Sequence, residues 1–275
     1  MIIPKLPLDA AVDTFIDYTT LHYSFVTKAI SRVMKIGIDS VNDFLMLIPP
    51  IVLILVFVAL AWYFSTRGIA VFTFLGLLFI WNLGLWSASV STLTLVLIAT
   101  FLSMIIGIPI GILAALNSGA RRAIMPVLDF MQTMPAFVYL IPAIPFFGLG
   151  VVSAVFTTVI FSMPPAIRLT CLGIQQVPNE YIEAADSFGA TRKQKLFQIQ
   201  LPLAMPTIMA GVNQTIMLAL SMVVIAAMIG AGGLGGEVWR AIQRLRPGMG
   251  FEAGIAVVIM AIILDRITQN IRKKF

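Results

Sequence analysis

Residues 178–202 read PNEYIEAADSFGATRKQKLFQIQLP, and they form the one long polar break in an otherwise strongly apolar chain. Asn179 suits an N-cap, and Glu180 then stands in a first turn where the helix dipole favours an acid. The pattern predicts a helix to about Phe188, ended by Gly189, which enters the left-handed conformation at little steric cost. Thr191 and Gln194 have the spacing of a capping box for a second helix, which Pro202 is expected to end. Ile182, Ala185 and Phe188 form a small apolar ridge on the first helix. The break is therefore read as helix, glycine turn, helix. It carries Glu180, Glu183, Asp186, Arg192, Lys193 and Lys195, a dense share of the few charges the chain has.

The flanks decide what surrounds it. The chain has 275 residues, of which 60% are hydrophobic and 11% charged, with a mean hydropathy of +1.01. Soluble domains average about 45–50% apolar and about 25% charged. So few charges cannot cover a water-facing surface, and most of the chain must face lipid or buried helices. A spanning helix needs about 20 apolar residues. Seven runs are read as spans: Leu47 to Phe64, Ile69 to Trp86, Val90 to Leu116, a proline-broken run from Ile124 to Gly148, Val151 to Cys171, Pro206 to Gly230, and Gly254 to Ile267. The expected class is all-α and polytopic.

Orientation follows from Lys and Arg, which gather on the cytoplasmic side. A cytoplasmic polar break places Arg67, Arg121, Arg122, Arg168, Arg192, Lys193, Lys195, Arg266, Arg272, Lys273 and Lys274 inside. It leaves Lys5, Lys28, Arg32, Lys35, Arg240, Arg244 and Arg246 outside. The N-terminus is then outside and the C-terminus cytoplasmic. Residues 1–46 lack the ordered charged, apolar and cleavage regions of a secretory signal. Apolar residues recur there at helical spacing with charges between, as in a helix lying in the membrane interface or packed outside the bundle. Residues 47–86 are read as two peripheral spans, and 87–275 as a core domain with its loop at 176–203.

Composition excludes several chemistries. One cysteine, Cys171, and one histidine, His22, leave no disulfide framework, His-based zinc site or Ser-His-Asp triad. The net charge of +6 is better read as loop charges that orient membrane helices than as a nucleic-acid surface. Gly230, Gly232 and Gly235 fit a dinucleotide-binding string, but that fingerprint needs a preceding strand, and here a membrane helix precedes it. No phosphate-binding loop of the G-x-x-x-x-G-K-[ST] type exists, so ATP is expected on a separate subunit. Gly107 and Gly111 form a small-xxx-small pattern for close helix approach, with Pro109 between them.

Glu183, Ala184, Ala185, Gly189, Ile199, Leu201 and Pro202, at their fixed spacing before the penultimate span, resemble the EAA motif of ABC importer permeases. The runs Asp129 to Pro142, Met163 to Thr170 and Leu201 to Thr215 are similar to the glycine betaine/proline betaine subfamily. This resemblance covers about Ser87 to Ile267. It implies a type I importer (MetI-like) permease fold working as a homodimer with two cytoplasmic ABC ATPases and an extracytoplasmic solute-binding protein. No cofactor is expected in this chain, because ATP and Mg would be held by the ATPase. In that family the loop docks into the ATPase and transmits its motion, so this chain is expected to transport rather than catalyse, in a bacterial cytoplasmic membrane.

Polar groups inside spans are costly and face a cavity or the bundle interior. Asn213, Gln214 and Ser221 are candidates to line the pathway or to bond neighbouring helices. Phe137 and Tyr139, with Phe146, Phe147 and Trp239, are the aromatics available to hold a quaternary ammonium group. Asp129 and Arg168 are placed to form an ion pair. An importer of another small solute, such as choline or methionine, is the nearest alternative. An ion-coupled carrier is the alternative from another class, but no internal repeat supports it.

Overall fold

Helix is the only regular structure among the described residues, 8–271, of the computed structural model. In lipid every backbone polar group needs an internal partner, and a helix supplies one within its own segment. The elements are α1 (Leu8–Leu47), α2 (Pro50–Phe64), α3 (Arg67–Asn82), α4 (Trp86–Leu116), α5 (Ser118–Thr133), a 3₁₀ turn (Ala136–Tyr139) and α6 (Leu140–Phe147). There follow α7 (Val151–Gln175), α8 (Asn179–Ser187), α9 (Arg192–Gln194), a π-helical segment (Lys195–Gln200) and α10 (Leu201–Ala226). A 3₁₀ turn (Ala227–Ile229), α11 (Gly233–Gln243) and α12 (Pro247–Ile271) complete the order. Lys5, Arg272, Lys273 and Lys274, counted above for orientation, lie outside the described residues.

The expected seven spans are not seven straight helices. Four helices are long and apolar enough to cross a membrane: α4, α7, the continuous run Arg192–Ile229 that contains α10, and α12. The first predicted span begins as the end of α1. Pro49 and Pro50 then break the chain, and α2 leaves at 98° with only 15 residues. At 1.5 Å per residue α2 is about 22 Å long, short of a bilayer core of about 30 Å. The second predicted span is α3, with 16 residues. The fourth is bent by 110° between α5 and the 3₁₀ turn. Met134 precedes Pro135 and is extended, with ψ 134°, as the ring of a following proline requires.

Two local expectations in the polar break are corrected. Asn179 is the first helical residue of α8, the cap position is Pro178, and no side chain caps it. Pro202 does not end the second helix, which passes through it into α10. The widened π-helical turn immediately before it accommodates a residue that lacks an N–H and whose ring crowds the preceding turn.

The core joins α4, α7 and α10, with Val96, Ala99, Val155, Ala219 and Met222 among its buried residues. The seam between α4 and α7 is close because its residues are small. A Cβ on Gly107 would lie 2.9 Å from the Ala166 Cβ, and one on Gly111 would lie 2.7 Å from the Ile167 carbonyl oxygen. The Ser103 hydroxyl, wholly buried, lies across that seam 3.1 Å from the Ser162 hydroxyl and 3.2 Å from the Val159 carbonyl. Ser65 follows α2 and accepts from the Asn270 amide at 3.0 Å, which brings the α2–α3 turn to the end of α12. The α2–α3 turn and the end of α12 thus meet at one end of the bundle. The turns at Gly148–Gly150 and Gly230 share the other, where the Gly150 N–H donates to the Ile229 carbonyl at 2.8 Å.

Candidate coupling loop and pathway face

The turn between α8 and α9 is closed by bonds that its sequence specifies. Gly189 has φ +74°. Its N–H donates to the Asp186 carbonyl at 2.9 Å, and the Ala190 N–H donates to the Ala185 carbonyl at 2.9 Å. These two bonds are the Schellman pattern, which satisfies carbonyls left over at a helix end. The capping box on the far side is complete: the Thr191 hydroxyl accepts from the Gln194 N–H, and the Gln194 side chain accepts from the Thr191 N–H. The Lys195 ammonium meets the Asp186 carboxylate at 2.6 Å and braces the two arms. Exposure of the carboxylate (53%) keeps such a pair to about 0.2–1 kcal/mol.

Within the seven-residue motif, burial separates two groups. Ala185 is 6% exposed and turned into the chain. Ile199 and Leu201 are half-buried, and Leu201 packs on a small cluster of Ile174, Leu196, Ala204 and Ile208 that seats the loop on the bundle end. Glu183, Ala184, Gly189 and Pro202 face outward. The expected ridge of Ile182, Ala185 and Phe188 is therefore split, because Ala185 points in while Phe188 is 91% exposed. The outward ridge is instead Tyr181, Ala184 and Phe188, three and four residues apart on one face of α8. Phe197 (64% exposed) stands nearby on the π-helical segment, beside a cavity of about 330 Å³ shared with Leu201, Pro202 and Met205. Tyr181 and Phe197 escaped the sequence reading. The available signal was aromatic residues standing in a polar segment.

The intramembrane polar residues do not converge. Gln214, Met217 and Ser221 are exposed three and four residues apart, so they share one open face of α10. Asn213 is turned toward α12, where its amide donates to the Asp265 carboxylate at 2.9 Å. Asp265, not picked out from the sequence, also accepts from Gln269 at 2.6 Å. The Tyr139 ring is buried edge-on to Phe161 at 5.8 Å, and its hydroxyl donates to the Met131 carbonyl. Phe137 is exposed on the 3₁₀ turn. Phe147 stacks obliquely on Phe156 at 4.5 Å and not on Tyr139 or Phe137, so no cage of the five aromatics forms. The Arg168–Asp129 pair is present at 2.7 Å and ties α7 to α5.

The glycine string at 230–235 is a turn into α11. The Leu234 N–H donates to the Thr92 hydroxyl at 2.8 Å, and a Cβ on Gly235 would lie 2.4 Å from the Val223 carbonyl oxygen. Left-handed backbone at Gly230 and Gly232 and close packing at Gly233 and Gly235 account for these glycines. No group of three or more His, Cys, Asp and Glu residues placed to hold a metal ion occurs among the described residues.

Residues 107–275 match the family described as binding-protein-dependent transport system inner membrane component. The chain is 53% identical over 272 residues to the glycine betaine transport system permease protein OpuAB of Bacillus subtilis, covering 99% of this chain and 96% of that protein. It is 49% identical to the glycine betaine/carnitine transport permease protein GbuB of Listeria monocytogenes, over 99% and 98% of the two chains. It is also 49% identical to the glycine betaine/proline betaine transport system permease protein ProW of Escherichia coli, over 97% of this chain and 75% of that protein. Among solved structures, a chain of the inward-facing MetNI methionine ABC transporter superposes with a TM-score of 0.63 at 21% identity, over 67% of this chain and 92% of that one. That likeness carries the fold of an ABC importer permease. The chain belongs to the family of binding-protein-dependent transport system inner membrane components.

Proposed function

We propose that this multi-pass membrane protein is the permease subunit of an ATP-driven importer of glycine betaine or a closely related quaternary ammonium solute. The single observation that carries the solute is the near full-length identity to permeases named for glycine betaine transport. The loop at one end of the bundle supports the mechanism. It is braced by a Schellman turn, a capping box and an ion pair, and it offers Tyr181, Ala184 and Phe188 to a partner.

In this reading the loop is cytoplasmic and docks on an ABC ATPase that holds ATP and Mg. The N-terminus is outside, the C-terminus inside, and a second copy of the chain completes the pathway. Glu183, Ala184, Gly189 and Pro202 lie on the docking side. Ala185, Ile199 and Leu201 hold the loop to α7 and α10, so that motion of the ATPase is passed to the helices. The open face of α10, with Gln214, Met217 and Ser221, lines the path between the two copies. Asn213 and Tyr139 instead hold helices within one copy. Substrate selection rests with the solute-binding protein, and the chain itself performs no chemistry.

The test is uptake of labelled glycine betaine into proteoliposomes that contain the permease and its co-purified ATPase, with the solute-binding protein outside. Uptake should require ATP inside and should be outcompeted by unlabelled glycine betaine. Uptake by the permease alone without ATP would refute the importer. Competition by choline or methionine but not by glycine betaine would refute the solute.

A further inference from the structure

At the bundle end away from the coupling loop, α1 crosses the turns that lead into α7 and α11. Ile38 is 5% exposed, so this face of α1 is pressed toward the core, while Val33 and Ile36, on other faces, are 71% and 60% exposed. Beside it, Ser31 is half-buried, and Lys35 and Asp39 are exposed. Between α1 and the turns lies a cavity of about 350 Å³, lined on the helix side by Ser31, Lys35 and Asp39 and on the other by Phe147, Leu149 and Gly150. The size falls at the lower end of the range of about 300–1,000 Å³ typical of small-ligand sites.

Lys35 and Asp39 are four residues apart, a spacing at which opposite charges on a helix pair readily. Here no ion pair or hydrogen bond joins them or engages either with another described residue. The facing wall supplies no counter-charge: Phe147, Leu149, Val151 and Val152 are apolar. The Gly150 N–H is already given to the Ile229 carbonyl. An anion would meet Lys35 but also Asp39, and a cation the reverse. A molecule with both charges meets both groups with favourable sign, and the Phe147 ring adds an aromatic wall for a cationic end.

We infer that this cavity is a binding site for a small zwitterion, with its anionic end on Lys35 and its cationic end toward Asp39. The class includes a zwitterionic lipid headgroup, in which a phosphate stands beside an ammonium, and a free betaine. Both sources reach this end of the molecule, one from the bilayer and one from solution.

The experiment places the full-length chain in nanodiscs of phosphatidylglycerol, with and without phosphatidylethanolamine, and counts retained lipids by native mass spectrometry. In parallel, glycine betaine is titrated into the phosphatidylglycerol nanodiscs by calorimetry. Retention of one phosphatidylethanolamine per chain assigns the lipid source, and saturable glycine betaine binding assigns the free solute. In either case Lys35→Ala and Asp39→Ala should weaken binding about tenfold or more, because each removes a charge-assisted contact. The double swap K35D/D39K should regain binding, because a dipolar ligand can turn end for end. The site is overturned if the wild type binds neither probe, if the alanine variants bind as the wild type does, or if the swap regains nothing. All variants are compared at equal elution volume and helical content, which separates loss of the site from loss of the fold.

Discussion

Gly111 is where the helix seam has least room, and replacing it by alanine tests the packing directly. The added Cβ would lie 2.7 Å from the Ile167 carbonyl oxygen and 2.7 Å from the Thr170 Cβ, at least 0.7 Å inside ordinary contact at 3.4 Å. A backbone oxygen cannot swing aside as a side chain would, so α4 must move off α7. That shift also stretches the Ser103–Ser162 contact at 3.1 Å on the same seam. Overpacking of this kind costs about 1–3 kcal/mol. Alanine also favours a helix over glycine by about 1 kcal/mol, and Gly254→Ala isolates that gain, since nothing lies within 4 Å of the Cβ there. The measurement is the thermal unfolding midpoint of both variants in detergent, followed by tryptophan fluorescence. The midpoint of Gly111→Ala should fall about 2–12 °C below that of Gly254→Ala, taking about 2–4 °C per kcal/mol for a chain of this size. Equal midpoints would show that α4 and α7 slide apart freely, and would refute a seam set by small residues.

Gly189→Ala meets no neighbour within 4 Å, so its effect is the left-handed backbone alone, about 1–2 kcal/mol. It should lower solute-stimulated ATP hydrolysis while leaving membrane insertion intact; unchanged stimulation would count against a coupling turn. Phe188→Ser removes an almost fully exposed ring and should leave the unfolding midpoint unchanged while reducing co-purification of the ATPase, which pull-down measures. The Asp129–Arg168 pair is largely open to solvent, 64% and 39% exposed, so Asp129→Arg should cost about 0.2–1 kcal/mol. The swap D129R/R168D should recover that loss in unfolding and transport, and no recovery would mean that the two charges act separately. Asp265→Ala removes the carboxylate that accepts from the Asn213 amide, and should cost about 1–3 kcal/mol in thermal unfolding.

Much of this protein is legible from the chain because membranes impose strong, local rules. Scarcity of charge placed it in lipid, and the apolar runs located α4, α7, α10 and α12 to within a few residues or a turn or two. Gly189, Thr191 and Gln194 announced a turn and a cap whose bonds reach only a few residues, so their geometry follows from spacing. Gly107 and Gly111 announced close packing, although not the helix that approaches them. Hydropathy alone does not distinguish a straight helix from a bent one. A proline-broken run averages as apolar whether it crosses in line or bends by 110° at Met134 and Pro135. Pro202 is a helix breaker in isolation, yet the widened π-helical turn before it carries the helix through.

Composition, span pattern and the loop motif were determined by the sequence itself, since each depends on residue type and on neighbours a few positions away. Which side chains face outward was decided by tertiary structure alone. Ala184 and Ala185 are adjacent and identical, and only the seating of α8 on its neighbours buries the second and leaves the first exposed. Asn213 and Gln214 are likewise adjacent amides, and the approach of α12 claims one for Asp265 and leaves the other on the open face of α10. Lys35 and Asp39 stay exposed, and only the turns at Gly150 and Gly230 set opposite them make a cavity at their side. In each case the deciding partner lies far along the chain or on another helix, and the helical period by itself does not say which face that partner will cover.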